Sequence, residues 1–150
     1  MMQLDQLFSH WDQIHNDTLA TLDKFDESEL EHIAYDGGLP VGRIALHIAD
    51  AEEGWFRLVA TQERSEWPSD YTLENYPSKA AIKALLSEAH AKTMAYLATQ
   101  TLDDLERVFK SAWGDFSLRF IIWHVLEHEI HHRGELSLIL GILGRQGLDV

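Results

Sequence analysis

The sequence predicts an all-α fold, a four-helix bundle with a long crossover between helices two and three. Apolar residues recur at helical spacing in four separate stretches, no strand-length run alternates with period two, and no segment repeats at a fixed interval. Sheets and solenoids are therefore poor candidates. Four amphipathic helices around one core remain, and binding sites in such bundles are built from side chains on facing helices.

The first helix is expected from Leu4 to about Phe25, its stripe running Leu4, Phe8, Trp11, His15, Thr18, Leu22, Phe25. His15 and Thr18 interrupt it with polar groups. Asp36-Gly37-Gly38 then breaks the chain, and Pro40 suits the first turn of helix two because its missing N–H has no intrahelical partner there. Helix two runs to about Ala60 with Ile44, His47, Ala51, Trp55 and Leu58 on one face, so His47 stands among core residues. Glu63 to Ser78 holds Pro68 and Pro77 without helical period and reads as the crossover. Ser78 is an N-cap candidate for helix three, whose inward face is Ile82, Leu85, Leu86, Ala89, Thr93, Tyr96 and Leu97. The pattern weakens from Gln100 to Phe116, where Trp113-Gly114-Asp115 reads as a turn. Ser117 caps helix four, with the stripe Leu118, Ile121, Val125, His128, His132, Leu136, Ile139, Leu143 and an end at Gly141, Gly144 and Gly147.

The 150 residues match a single domain, 1–150, and 45% hydrophobic with 25% charged residues is the composition of a globular chain. With 25 acidic against 12 basic residues the net charge is −13, which repels phosphate backbones, so no nucleic-acid and no anionic-membrane partner is expected. The N-terminal MMQLDQLFSHWDQ is no secretory signal and no window reaches the ~18 apolar residues of a span, so a cytoplasmic location is expected. There is no cysteine, hence no disulfide and no cysteine nucleophile; any thiol chemistry must use an external thiol.

Nine histidines are the outstanding feature of the composition. His128 and His132, four apart, share one helix face with Cβ atoms about 5–6 Å apart, close enough to hold one cation. Both lie in the predicted core stripe, where unpartnered imidazoles are costly. His47 on helix two can complete a three-histidine divalent metal site with open positions. His124 continues the row but drifts about 40° round the helix, toward the pocket wall; His131 is turned about 100° from His132, toward an interface or solvent. His15 and Thr18 face either the same cavity or the core. His10, His32 and His90 have no evident partner. Asp50 and Glu53 are candidate acceptors for the second N–H of a ligating histidine.

Two motif matches fail on context. His128-Glu129-Ile130-His131-His132 fits H-E-x-x-H, but Glu135 and Leu138 stand where the extended metalloprotease pattern wants glycine and histidine, and no sheet is predicted to hold a peptide. Glu129 with His132, and Glu29 with His32, match the E-x-x-H of di-iron bundles, but that site also needs two bridging glutamates on facing helix interiors, and Glu29-His32 lies beside the Gly-Gly break rather than in mid-helix.

Three segments, LPVGRIALHIADAEEGWF from Leu39 to Phe56, WGDFSLRF from Trp113 and WHVLEHEIHHRGEL from Trp123, resemble the DinB/YfiT-like family of four-helix-bundle metal proteins over nearly the whole chain. Carried over, the family's three ligands fall on His47, His128 and His132. Arg133-Gly134 also matches, while Glu135 stands where glutamine is more usual. The resemblance implies a divalent metal, usually zinc or nickel, a small-molecule substrate and frequently a homodimer. It also implies a metalloenzyme in which the metal activates a low-molecular-weight thiol for transfer to, or isomerisation of, a small electrophile. A metal-dependent hydrolase on the same site and a non-catalytic metal-binding bundle are the alternatives.

Overall fold

The computed structural model describes residues 1–150. In chain order it comprises α1 (Leu4–Leu7), α2 (His10–Asp23), α3 (Val41–Glu53) continued by a π-helical segment (Gly54–Ala60), α4 (Lys79–Leu97), strands β1 (Val108–Ser111) and β2 (Gly114–Ser117), and α5 (Leu118–Ile142). No helix is long and apolar enough to cross a membrane.

The expected N-caps form as the chemistry demands. Ser78 Oγ accepts from Ala81 N and Ser117 Oγ from Phe120 N, each at 3.1 Å. Pro40 sits one position before the first residue of α3, and the free donors of that turn are taken by the preceding loop: Val41 N donates to His32 O at 3.0 Å and Gly42 N to Leu30 O at 2.8 Å.

Three local expectations are corrected. Helix one is not continuous: after α1 the chain breaks at Phe8-Ser9, because Leu4 N is bonded to Gln100 O at 2.9 Å and Gln3 bridges Thr101, which ties the first turn to the end of α4. Helix two widens into the π segment after Glu53. Residues 108–117, read as turn and loop, form an antiparallel hairpin in register Val108↔Ser117 to Ser111↔Gly114. Its strands are four residues long, too short to show a period, and Gly114, the first residue after the two-residue turn Ala112-Trp113, holds φ +138°, an angle that suits glycine.

α2 packs on α4 and α5, and so does α3, so the consecutive pairs α2/α3 and α4/α5 lie across the bundle diagonals. The direction of each helix follows from two apolar clusters. One gathers Leu22, Ile44, Leu86 and Leu136; the other gathers Trp11, Phe56, Leu97 and Val125. α2 and α5 run from the second cluster to the first, and α3 and α4 run the opposite way. α3 and α4 are thus parallel neighbours, which explains why residues 61–78 must travel the length of the bundle as a crossover.

Between the clusters lies a buried polar layer: His15 and Thr18 from α2, Glu52 from α3, His90 and Thr93 from α4, and Glu129 from α5. Every helix of the bundle contributes to it. Glu129 accepts from Trp11 Nε1 at 2.8 Å and lies 3.3 Å from His15 Nδ1. The His15 and His90 rings stack 4.3 Å apart at 9°, and His90 Nε2 meets Asp12 at 2.7 Å. Buried carboxylates and imidazoles are tolerated here because each is matched by the opposite kind.

Candidate metal centre

α3 and α5 run side by side, and at the level of the polar layer their shared outer groove carries three imidazoles. His47 comes from the middle of α3, and His128 and His132 from successive turns of α5. His47 Nε2 and His128 Nε2 are 3.1 Å apart, and one nitrogen from each of the three rings lies within 4.8 Å of the others. All three residues are half-buried, with one side open to the groove.

Neighbouring carboxylates settle which nitrogen faces inward. Asp50, one turn after His47, places its oxygens 3.0 and 3.2 Å from His47 Nδ1. Glu135 places Oε2 2.7 Å from His132 Nδ1, and its other oxygen accepts from the Tyr35 hydroxyl at 2.6 Å. In the tautomers these contacts imply, Nδ1–H donates outward and Nε2 keeps its lone pair for the centre. Asp50 is itself held by Arg43 at 3.8 Å and by the Trp67 indole N–H at 3.4 Å.

The electrostatics favour the neutral form of the two rings on α5. Burial, then the fields of His132, His47, His124 and His131, hold His128 far below an ordinary histidine, at about 3. Burial also lowers His132, against the opposing pull of Glu135. Burial works to raise the Glu135 carboxyl, but the bonds from Tyr35 and His132 outweigh it and hold it low. Once the His128 proton leaves Nε2, the converging nitrogens face one another as lone pairs, which a shared cation can bridge. About 2.0–2.1 Å per bond around a tetrahedral ion places ligand nitrogens about 3.3 Å apart, close to the observed 3.1 Å. The donor set therefore fits a divalent metal ion.

A model of the DinB superfamily matches residues 10–136, spanning all three histidines. The chain belongs to the DinB superfamily. Solved DinB structures share its fold. A DinB-like protein from Bacillus cereus ATCC 10987 is 18% identical with a TM-score of 0.76, over 99% of this chain and 97% of that one. The DinB-like protein YjoA from Bacillus subtilis is 19% identical with a TM-score of 0.75, over 97% and 96%. YfiT from Bacillus subtilis, "a probable metal-dependent hydrolase with an unusual four-helix bundle topology", is 26% identical with a TM-score of 0.60, over 89% and 87%. No protein of curated function is significantly similar to the chain in sequence.

The other singled-out residues of this DinB protein fall as follows. His124 lines the adjoining cavity of about 280 Å³ with Glu127, His128 and His131, but its ring is stacked on Phe120 at 5.2 Å and meets Trp55 at 5.0 Å, outside the three-histidine group. His131 is exposed, as its rotation implies, yet it edges His132 and lines a second cavity of about 510 Å³ with Tyr35, His132 and Glu135. His15 faces the core layer rather than the groove. Glu53 engages Arg64 at 3.6 Å, so of the two proposed carboxylates only Asp50 reaches a histidine of the group. Glu129 points to Trp11 in the core, away from the groove, which removes the base that H-E-x-x-H chemistry needs. Glu29 pairs with Arg145. Sequence reasoning missed Tyr35 and Trp67. The indole–Asp50 contact carries no local signal, whereas Glu135 is visible at i+3 from His132, the same spacing as Asp50 from His47.

Proposed function

We propose that this protein is a metal-dependent enzyme whose three imidazoles, His47, His128 and His132, hold one divalent cation, zinc or nickel, and leave positions open for a small reactant. The observation that carries this reading is the three-nitrogen cluster itself, with no fourth protein donor closing it. A purely structural ion would be enclosed by four protein ligands.

A divalent cation at this place supplies Lewis acidity, which lowers the pKa of an adjacent thiol or water. The chain's own residues do the rest. Asp50 and Glu135 fix the outer nitrogens, so the inner ones stay aligned. Tyr35 and Trp67 hold those carboxylates in turn. The two adjoining cavities, rimmed by Glu127, His131 and Leu138, are where a reactant enters.

The reaction favoured by the family resemblance joins an external low-molecular-weight thiol to a small electrophile, as a transferase or isomerase does, and a chain without cysteine supplies no thiol of its own. Water as the nucleophile is the second reading, favoured by the likeness to YfiT. The proposal includes a cytoplasmic protein acting as a homodimer on a small molecule.

Elemental analysis of the untagged protein, beside His128→Ala, tests the centre: about one zinc or nickel per chain, lost in the variant, is expected. Wild-type protein that folds but takes up neither metal overturns the reading. With loaded protein, turnover of 1-chloro-2,4-dinitrobenzene that requires added glutathione or cysteine supports the transferase. Thiol-independent cleavage of p-nitrophenyl acetate that is lost in His128→Ala supports the hydrolase.

A further inference from the structure

Several departures from regular geometry converge where α3 ends. The helix widens into the π segment Gly54–Ala60, and Gln62 just beyond it holds φ +56°, in the left-handed region that side chains other than glycine seldom adopt. Gly54 has no room for a side chain, since a Cβ there would meet three atoms of the Trp67 ring at 2.6 Å. Such departures cluster at functional sites. Here they frame a cavity of about 480 Å³ between the crossover and the hairpin tip, walled by Leu58, Val59, Trp67 and Trp113 and edged by Arg64 and Lys110.

The cavity has a defined chemistry. Trp67 and Trp113 meet edge to face with centroids 5.7 Å apart, and Trp113 is 58% exposed, an indole held at a surface with nothing covering it. Arg64 is shared with Glu53 at 3.6 Å and Asp70 at 3.9 Å, whereas Lys110 makes no ion pair. Glu66 is the one carboxylate in the lining. With Arg64 already matched by carboxylates, the lining keeps one free charge of each sign, Lys110 and Glu66, on a chain of net charge −13. Net repulsion of anions is thus locally cancelled here, and Lys110 offers an ammonium without an ion-pair partner. Trp67 also links the cavity to the metal centre, because its indole N–H donates to Asp50, which fixes His47.

We propose that this cavity is a binding subsite for a planar organic anion, an aromatic or conjugated body bearing one carboxylate, with the body against Trp67 and Trp113 and the carboxylate on Lys110. Indole surfaces suit a planar apolar body, and a single unpaired ammonium selects one negative charge. As the substrate-recognition part of the enzyme the subsite rests on the metal reading above; as a binding site it stands alone.

Isothermal titration calorimetry with 1-naphthoate and its uncharged counterpart 1-naphthalenemethanol tests it. The carboxylate is expected to bind at least about tenfold tighter, Lys110→Gln to abolish that preference, and Trp113→Ala to weaken both ligands at least about tenfold. Both side chains are exposed, and circular dichroism confirms that the variants keep their fold. No binding of 1-naphthoate at millimolar concentration, a preference that survives Lys110→Gln, or an affinity unchanged in Trp113→Ala each overturns the proposal. The same titration on His128→Ala separates the two readings. Binding that persists without metal supports the subsite even if the metal centre fails, and a loaded protein indifferent to Lys110 and Trp113 refutes the subsite alone.

Discussion

Raising the pH from 6 to 9 should remove about 2 kcal/mol of folding stability through His90 alone. The His90 ring is nearly enclosed, 2.7 Å from Asp12 and 3.6 Å from Glu52, and stacked on His15. Burial works against its proton, but the two carboxylates more than compensate and raise it from 6.5 to about 8. Each unit is worth about 1.4 kcal/mol, so a rise of about 1.5 units gives about 2 kcal/mol. The folded-state value lies above the unfolded one. The contribution is therefore complete below pH 6.5 and disappears as the pH climbs through about 8. Urea unfolding followed by far-ultraviolet circular dichroism, with a chelator present, measures it at pH 6, 7, 8 and 9. Acidic residues elsewhere also affect the curve, so the quantity to read is wild type minus His90→Gln. That difference should fall by about 2 kcal/mol across the window. A difference constant to within about 0.5 kcal/mol would refute the ion-pair account of the core layer.

Glu129→Ala leaves the Trp11 indole N–H and His15 without their partner and should cost about 3–5 kcal/mol, a drop of about 10 °C in melting temperature by calorimetry. Asp50→Asn should weaken zinc binding about 10- to 100-fold in a chelator competition while leaving the circular dichroism spectrum unchanged. Gly54→Ala should destabilise by about 1–3 kcal/mol through overlap with Trp67. In urea unfolding, Gly54→Ala added to Trp67→Ala should cost much less than Gly54→Ala alone.

Much of the site was legible in the sequence because it obeys helical periodicity. The i, i+4 spacing of His128 and His132 and the stripe position of His47 put them on facing surfaces, and α3 and α5 do pack together. Asp50 was legible for the same reason, one turn from His47. Interruptions of the stripe were visible too, but their meaning was not. For His15 and Thr18 the sequence left cavity and core both open, and His90 had no evident partner, since the layer they form joins four helices and its contacts cross more than 70 residues of chain. The break at Phe8-Ser9 accompanies a bond to Gln100, far along the chain, and Gly54, where the π segment begins, is covered by Trp67 from the crossover. The hairpin was missed because Phe109 and Phe116 pair across strands too short to show alternation.

The diagonal arrangement of consecutive helices also bears on how the chain comes to be folded. In an up-and-down bundle each new helix docks on the one just made. Here α2 waits for α4 and α5, and the Trp11–Glu129 bond closes a span of 118 residues. An N-terminal fragment ending before α5 lacks one wall of both apolar clusters and the Glu129 acceptor. During synthesis the nascent chain therefore holds its histidines and glutamates in an open, hydrated state until the last helix emerges. Folding should then be late, and slow for an all-helical protein of this length.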